Sequence, residues 1–148
     1  MTLEERMENE FKSAMKEKNA IKVSTLRMLK ADMNNVKLDK NKKNLGDEEI
    51  VKIVQRHLRQ HKDSIEQFEK GNRPDLVEKE KKELEILKRY MPEALPEKEL
   101  KKIIAAAIEE TSATGKKDMG KVIKAVMEKA KGRADGKTVS RLVSVMLG

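Results

Sequence analysis

An all-α fold follows from three observations. Apolar residues recur at helical spacing along nearly the whole chain, only three aromatics occur (Phe11, Phe68 and Tyr90), and 41% of the 148 residues are charged. Sheet-forming side chains are therefore scarce while helix formers abound. The pattern predicts an N-terminal bundle of about four helices over residues 1–92 and a small three-helix C-terminal domain over 96–148.

Each element has its own justification. Thr2 and Glu5 are spaced as a capping box, and Leu3, Met7, Phe11 and Met15 predict the buried line of a first helix ending near Lys18. A second helix starts near Asn19 and carries Leu26, Leu29, Met33 and Val36 on one face. It runs into the polar stretch Asp39 to Gly46, which predicts a mobile loop. Asp47 is expected to cap a third helix whose stripe is Ile50, Val54, Leu58, His61, Ile65 and Phe68, with Gly71 as a left-handed stop. Pro74 suits the first turn of a fourth helix. There Val77, Leu84, Leu87 and Met91 face inward and Glu78, Lys79, Lys81, Lys82, Glu83 and Glu85 are expected to stay wet.

Pro92 and Pro96 break the helical run, since each lacks an amide donor and disfavours helix in the residue before it. Three shorter stripes follow: Leu100/Ile103/Ile104/Ala107/Ile108, Met119/Val122/Ile123/Val126/Met127/Ala130 and Val139/Leu142/Val143/Met146. They suffice to close a small core. No repeat relates the two halves.

Composition narrows the function. The absence of cysteine excludes disulfides, thiolate nucleophiles and cysteine zinc sites. Uncharged runs such as Ile103 to Ile108 are far too short to span a bilayer, and the acidic start Met1-Thr2-Leu3-Glu4-Glu5 does not resemble a signal peptide. A soluble cytoplasmic protein is expected. The net charge of +8 suggests a polyanionic partner. Nine basic residues stand against three acidic ones between Lys116 and Arg141, and the same region holds Gly115, Gly120, Gly132 and Gly136. Such glycines either punctuate loops, let helices pack closely or admit a phosphate backbone.

Several chemistries are suggested and then fail. Gly115 to Val122 fits the first seven positions of a phosphate-binding loop, G-x-x-x-x-G-K, but Val122 stands where a magnesium-binding hydroxyl is required, and a helix precedes instead of a strand. His57 and His61 are one helical turn apart, yet no third His or Cys exists, so a carboxylate would have to complete any metal site. His61 reads as a packing residue. No G-x-S-x-G elbow is present, and no recognisable Ser-x-x-x-Lys amidase arrangement stands in a suitable scaffold. No catalytic residue, metal or cofactor is therefore expected.

The run Asp118-Met119-Gly120-Lys121-Val122-Ile123-Lys124-Ala125-Val126-Met127, followed by Lys131-Gly132-Arg133-Ala134-Asp135-Gly136-Lys137-Thr138-Val139, resembles the tail module shared by the B subunit of the tRNA-dependent amidotransferase and the small YqeY proteins. Ser24 to Leu29, Gly71 to Leu76 and Tyr90-Met91-Pro92 are similar to further YqeY segments, so the resemblance covers nearly the whole chain. It implies an all-helical protein whose tail belongs to the module that helps hold misacylated tRNA; a related module is appended to some glutaminyl-tRNA synthetases. The amidase and kinase-like domains have no counterpart here. Carbon-nitrogen ligation with glutamine as donor would thus be a property of the larger enzyme. Glu128 stands where the resemblance implies a small or neutral residue.

Together these readings predict a non-catalytic tRNA-binding accessory. Lys121, Lys124, Lys131, Arg133, Lys137 and Arg141 are the expected phosphate or ribose donors, with Gly120 and Gly132 admitting close approach. With so few aromatics, stacking on splayed bases is unavailable, which favours recognition of RNA shape. The alternative is an adaptor that binds an amidotransferase or aminoacyl-tRNA synthetase through a helix face, and methionines outside the cores would favour it.

Overall fold

The computed structural model describes residues 1–148 and contains helices and no strands. The helices are α1 (Leu3–Lys16), α2 (Ala20–Lys40), α3 (Asp47–Lys70), α4 (Pro74–Lys88), α5 (Glu97–Thr111), α6 (Met119–Ala130) and α7 (Gly136–Leu147), with a short 3-10 turn at Lys116–Asp118 before α6. They form two compact units, Met1–Met91 and Pro92–Gly148.

In the first unit the core is Met7, Leu26, Leu29, Met33, Leu45, Ile50, Ile53, Val54, Leu87 and Tyr90. The Thr2 capping box forms as the spacing predicts: the Thr2 hydroxyl accepts from the Glu5 amide and the Glu5 carboxylate accepts from the Thr2 amide. Met15, expected inside, is 45% exposed and Ala14 is buried instead. The inner face of α1 continues from Met7 by seven residues, two helical turns, which reaches Ala14 and rotates Met15 outward.

Three other expectations fail for identifiable reasons. The stretch before α3 is pinned down: Leu45 is buried, its amide donates to the Glu4 carboxylate, and Lys40 and Lys42 both reach Glu49. Gly46, not Asp47, precedes the first turn of α3; the Asp47 carboxylate is spent accepting the Leu3 amide at 3.0 Å. Gly71 has φ −82, and the left-handed residue is Asn72 at φ 54. Helix ends throughout the chain use non-glycine residues in this conformation, namely Lys18, Asn41, Asn72, Ser112 and Lys131. Asparagine tolerates it best, and each lets the following turn satisfy carbonyls the helix leaves open.

Glu83, expected to stay wet, is buried on α4. Its partner is His61 of α3, described below.

In the second unit α5, α6 and α7 pack pairwise around Leu100, Ile104, Ala107, Val122, Val126, Ala130, Ala134, Val139, Leu142 and Val143. The segment between the two prolines belongs to this unit. The Leu95 amide donates to the Arg133 carbonyl at 2.8 Å, Arg133 Nε donates to the Glu93 carbonyl at 2.9 Å, and Leu95 packs on the core.

Glu49 offers a test of the α2–α3 connection. Lys40 first, then Lys42 and the Gly46 amide, lower its pKa from the ordinary 4.5 to about 2. A depressed carboxyl stabilises the fold above its ordinary value and stops doing so as pH falls through the depressed one. Glu49→Gln should therefore lower the urea midpoint at pH 7, with the gap to the wild type narrowing below pH 4.5 and closing near pH 2.

Candidate nucleic-acid interface

The candidate interface lies on the second unit, where helix rotation is set by the core. Val122, Val126 and Ala130 turn one face of α6 inward, so Lys121, Lys124 and Glu128 lie on the opposite, exposed face. Likewise Val139, Leu142 and Val143 bury one face of α7 and leave Lys137 and Arg141, one turn apart, outside. Lys116 and Lys117 are exposed on the 3-10 turn that leads into α6.

The predicted donors have different degrees of freedom. Lys121, Lys124 and Lys137 are exposed and form no salt bridge, as do Lys116 and Lys117, which were not among the singled-out residues. Arg141 lies 3.9 Å from Glu97, an exposed pair of the kind worth little. Arg133 is exposed, but its Nε is engaged with the Glu93 carbonyl, so part of its guanidinium serves the fold. Lys131 is exposed and occupies the left-handed end of α6 at φ 50. Lys129, also basic, is tied to Glu110 at 2.6 Å.

The acids of the region are partly absorbed. Asp118 accepts the Thr114 amide at 3.0 Å, which together with Lys121 and Lys117 holds its carboxyl below the ordinary range. Asp135 caps α7, accepting the Lys137 amide at 3.0 Å and the Thr138 hydroxyl at 3.3 Å. Glu128 remains an exposed acid on the same face as Lys121 and Lys124.

The glycines divide. Gly132 has φ 82, a conformation glycine adopts freely, and with Lys131 it makes the tight turn between α6 and α7. Gly120 is exposed on the first turn of α6, and a Cβ there would meet nothing within 4 Å, so close helix packing does not explain it. The same holds for Gly115 and Gly136. The P-loop likeness ends in the structure as the sequence indicates: α5 precedes Gly115, and Val122 is fully buried in the core.

A second polar cluster sits on the first unit. His61 Nε2 lies 2.9 Å from the Glu83 carboxylate and 3.5 Å from that of Glu80, while His61 Nδ1 is 2.8 Å from the His57 carbonyl. His57 itself is buried and pairs with Asp32 at 2.5 Å. The histidine spacing therefore does not present two imidazoles to one point. The legible signal for the cluster was that His61 and Glu80 both interrupt apolar stripes, Glu80 falling three residues after Val77 and four before Leu84.

These features define a helical, strongly charged protein whose second unit exposes uncommitted lysines beside glycine-bearing turns. Residues 4–147 match the family of Yqey-like proteins, and the chain belongs to that family. It is 32% identical over 147 residues to a Pyrenophora tritici-repentis protein named "Altered inheritance of mitochondria protein 41, mitochondrial", covering 97% of this chain and 80% of the relative. A protein of the same name from Lachancea thermotolerans is 36% identical over 85 residues, 57% of this chain and 46% of the relative, and one from Kluyveromyces lactis is 34% identical over 90 residues, 61% and 48%. The chain thus spans about half the length of these two yeast relatives. Their names overturn the expectation of a cytoplasmic protein, since the relatives are named as mitochondrial. No helix is long and apolar enough to cross a membrane.

Asp135→Ala tests the local architecture of the interface. Loss of a side-chain cap costs about 1 kcal/mol. The α7 amides should show faster hydrogen exchange in the variant, and those of α1 to α4 should not.

Proposed function

We propose that this protein is a non-catalytic accessory that binds the backbone of folded tRNA through its second unit. The observation that carries the reading is the set of exposed lysines without salt bridges, Lys116, Lys117, Lys121, Lys124 and Lys137, on the 3-10 turn and on the outer faces of α6 and α7. All three aromatics lie in the first unit, so the second has no ring on which a base could stack. Phosphate and ribose contacts remain, and these read the shape of an RNA, not its sequence. The family likeness to the amidotransferase tail supports tRNA as the RNA, and an amidotransferase or an aminoacyl-tRNA synthetase as the enzyme it would serve.

A second reading, the protein adaptor, draws on a specific feature of α2. Its outer face exposes Met28 at 53% and Leu38 at 79% beside the small exposed residues Ala20, Ser24 and Ala31, and Met15 of α1 is also uncovered. Apolar side chains among small ones suit a docking helix.

Binding of unmodified tRNA by the full chain should be steeply salt-dependent. About five phosphate contacts give a slope of log K against log salt near −4, a loss of several hundredfold between 50 and 200 mM. Lys121→Glu, Lys124→Glu and Lys137→Glu together should weaken binding and flatten that slope with helicity unchanged. Reversal of Lys81 and Lys82, which pair with Glu69 and Glu78, should do little. Equal losses from both sets would reduce the effect to general basicity. Absence of tRNA binding at low salt would leave the α2 adaptor, for which Met28→Glu and Leu38→Glu are the corresponding changes.

A further inference from the structure

The histidine of the α3–α4 hairpin has a polar environment that a neutral imidazole cannot satisfy. A backbone carbonyl only accepts, so His61 Nδ1, 2.8 Å from the His57 carbonyl, carries the ring's proton as a donor. Nε2 of the neutral ring is then a bare lone pair. It faces two carboxylates, Glu83 at 2.9 Å and Glu80 at 3.5 Å, which also bear only lone pairs when ionised. His61 and Glu83 are buried, and Glu80 is partly so. Neither glutamate pairs with a lysine or arginine. Three lone-pair donors thus converge in a low-dielectric place, and a positive charge must lie between them.

We propose that His61, Glu80 and Glu83 bind a divalent transition cation of the zinc class. The three ligand atoms lie within 4.8 Å of one another. Tetrahedral zinc with bonds of about 2.0–2.1 Å holds its ligands about 3.3 Å apart, and the two histidine–carboxylate separations, 2.9 and 3.5 Å, fall on either side of that value. An imidazole whose other nitrogen donates to a backbone carbonyl is the usual orientation of a metal-bound histidine, because that bond fixes the tautomer. Glu80 and Glu83 stand at i and i+3 on α4, so one helix face offers both oxygens. Charge decides between the candidate occupants. A proton on His61 leaves the cluster with one net negative charge, whereas a divalent cation brings it to neutrality. The mixture of one imidazole and two carboxylates suits zinc or manganese better than calcium or magnesium, which prefer oxygen alone. Three protein ligands leave a fourth position for water, and the side chain of Glu80, 20% exposed, provides the side from which an ion enters. Bound there, the ion would cross-link α3 to α4.

The test is titration of the full, chelator-treated chain with Zn²⁺ by calorimetry, with thermal unfolding in parallel. The wild type should take up one equivalent and melt at a higher temperature. Glu80→Gln and His61→Gln should each weaken binding at least tenfold, as loss of even an outer-shell partner does, and should abolish the thermal gain. His57→Gln keeps the backbone carbonyl that orients His61 and should bind Zn²⁺ like the wild type. Because Glu80 is the least buried ligand, its variant should fold even if a change at Glu83 does not, and circular dichroism checks this. Failure of the wild type to bind one equivalent would overturn the proposal, above all if nitrogen NMR showed both His61 nitrogens protonated. So would binding that survives His61→Gln and Glu80→Gln, or that is lost in His57→Gln. None of these outcomes depends on RNA.

Discussion

The closure of α5, α6 and α7 over a small aliphatic core is the constraint on which the candidate interface depends. Val122, Val126, Val139 and Val143 are all fully buried, and each such side chain contributes about 1.5–3 kcal/mol by leaving water. Rotating either helix by one residue would expose these valines and bury lysines in their place. Core packing thus orients the charge, and the lysines of α6 and α7 need no contact of their own to face outward. Arg133 works the other way: by clasping the Glu93 carbonyl it fixes the α6–α7 turn against the start of the unit.

Charge is spread more evenly over the molecule than its local clustering suggests. Residues 1–91 hold 22 basic and 18 acidic side chains and residues 92–148 hold 12 and 8, so each unit carries the same surplus of four. In both units part of the surplus is paired and part is free: Lys12, Lys16, Lys52 and Lys62 of the first unit are exposed without a salt bridge, as are Lys116, Lys117, Lys121, Lys124 and Lys137 of the second. In the first unit many lysines are spent in ion pairs between elements, such as Lys30 with Glu8 and Lys40 and Lys42 with Glu49, and Arg27 and Lys30 lie over the Phe11 ring. The buried Tyr90 hydroxyl donates to Glu10, and burial followed by that bond pushes the phenol above its ordinary range. These contacts belong to the fold, as does the pair of Lys129 on α6 with Glu110, whereas Lys116, Lys117, Lys121, Lys124 and Lys137 are exposed without a salt bridge.

Helix existence and the inward faces were legible because period and proline breaks are local signals. The capping box of Thr2 and the stripe Leu84, Leu87 could be read directly. What was not legible was long-range. Asp47 looks like a cap in its own sequence, yet the amide of Leu3, far away in the chain, claims it. Leu45 sits in a polar stretch, and only the arrival of Glu4 shows why it is held. Glu83 looks like another solvated acid until α3 places His61 against it. At the candidate interface the residues themselves were readable, but their availability was not, since Arg133, Arg141 and Lys129 meet partners on other segments.

The central claim is that RNA contacts the outer faces of α6 and α7. Amide chemical shifts of the ¹⁵N-labelled full chain, followed as tRNA is added at low salt, test it most directly. The account predicts that the largest changes fall on Lys116 to Lys124 and on Lys131 to Arg141 and that they reverse on addition of salt. Changes centred on α1 and α2, or an unperturbed spectrum, would contradict it.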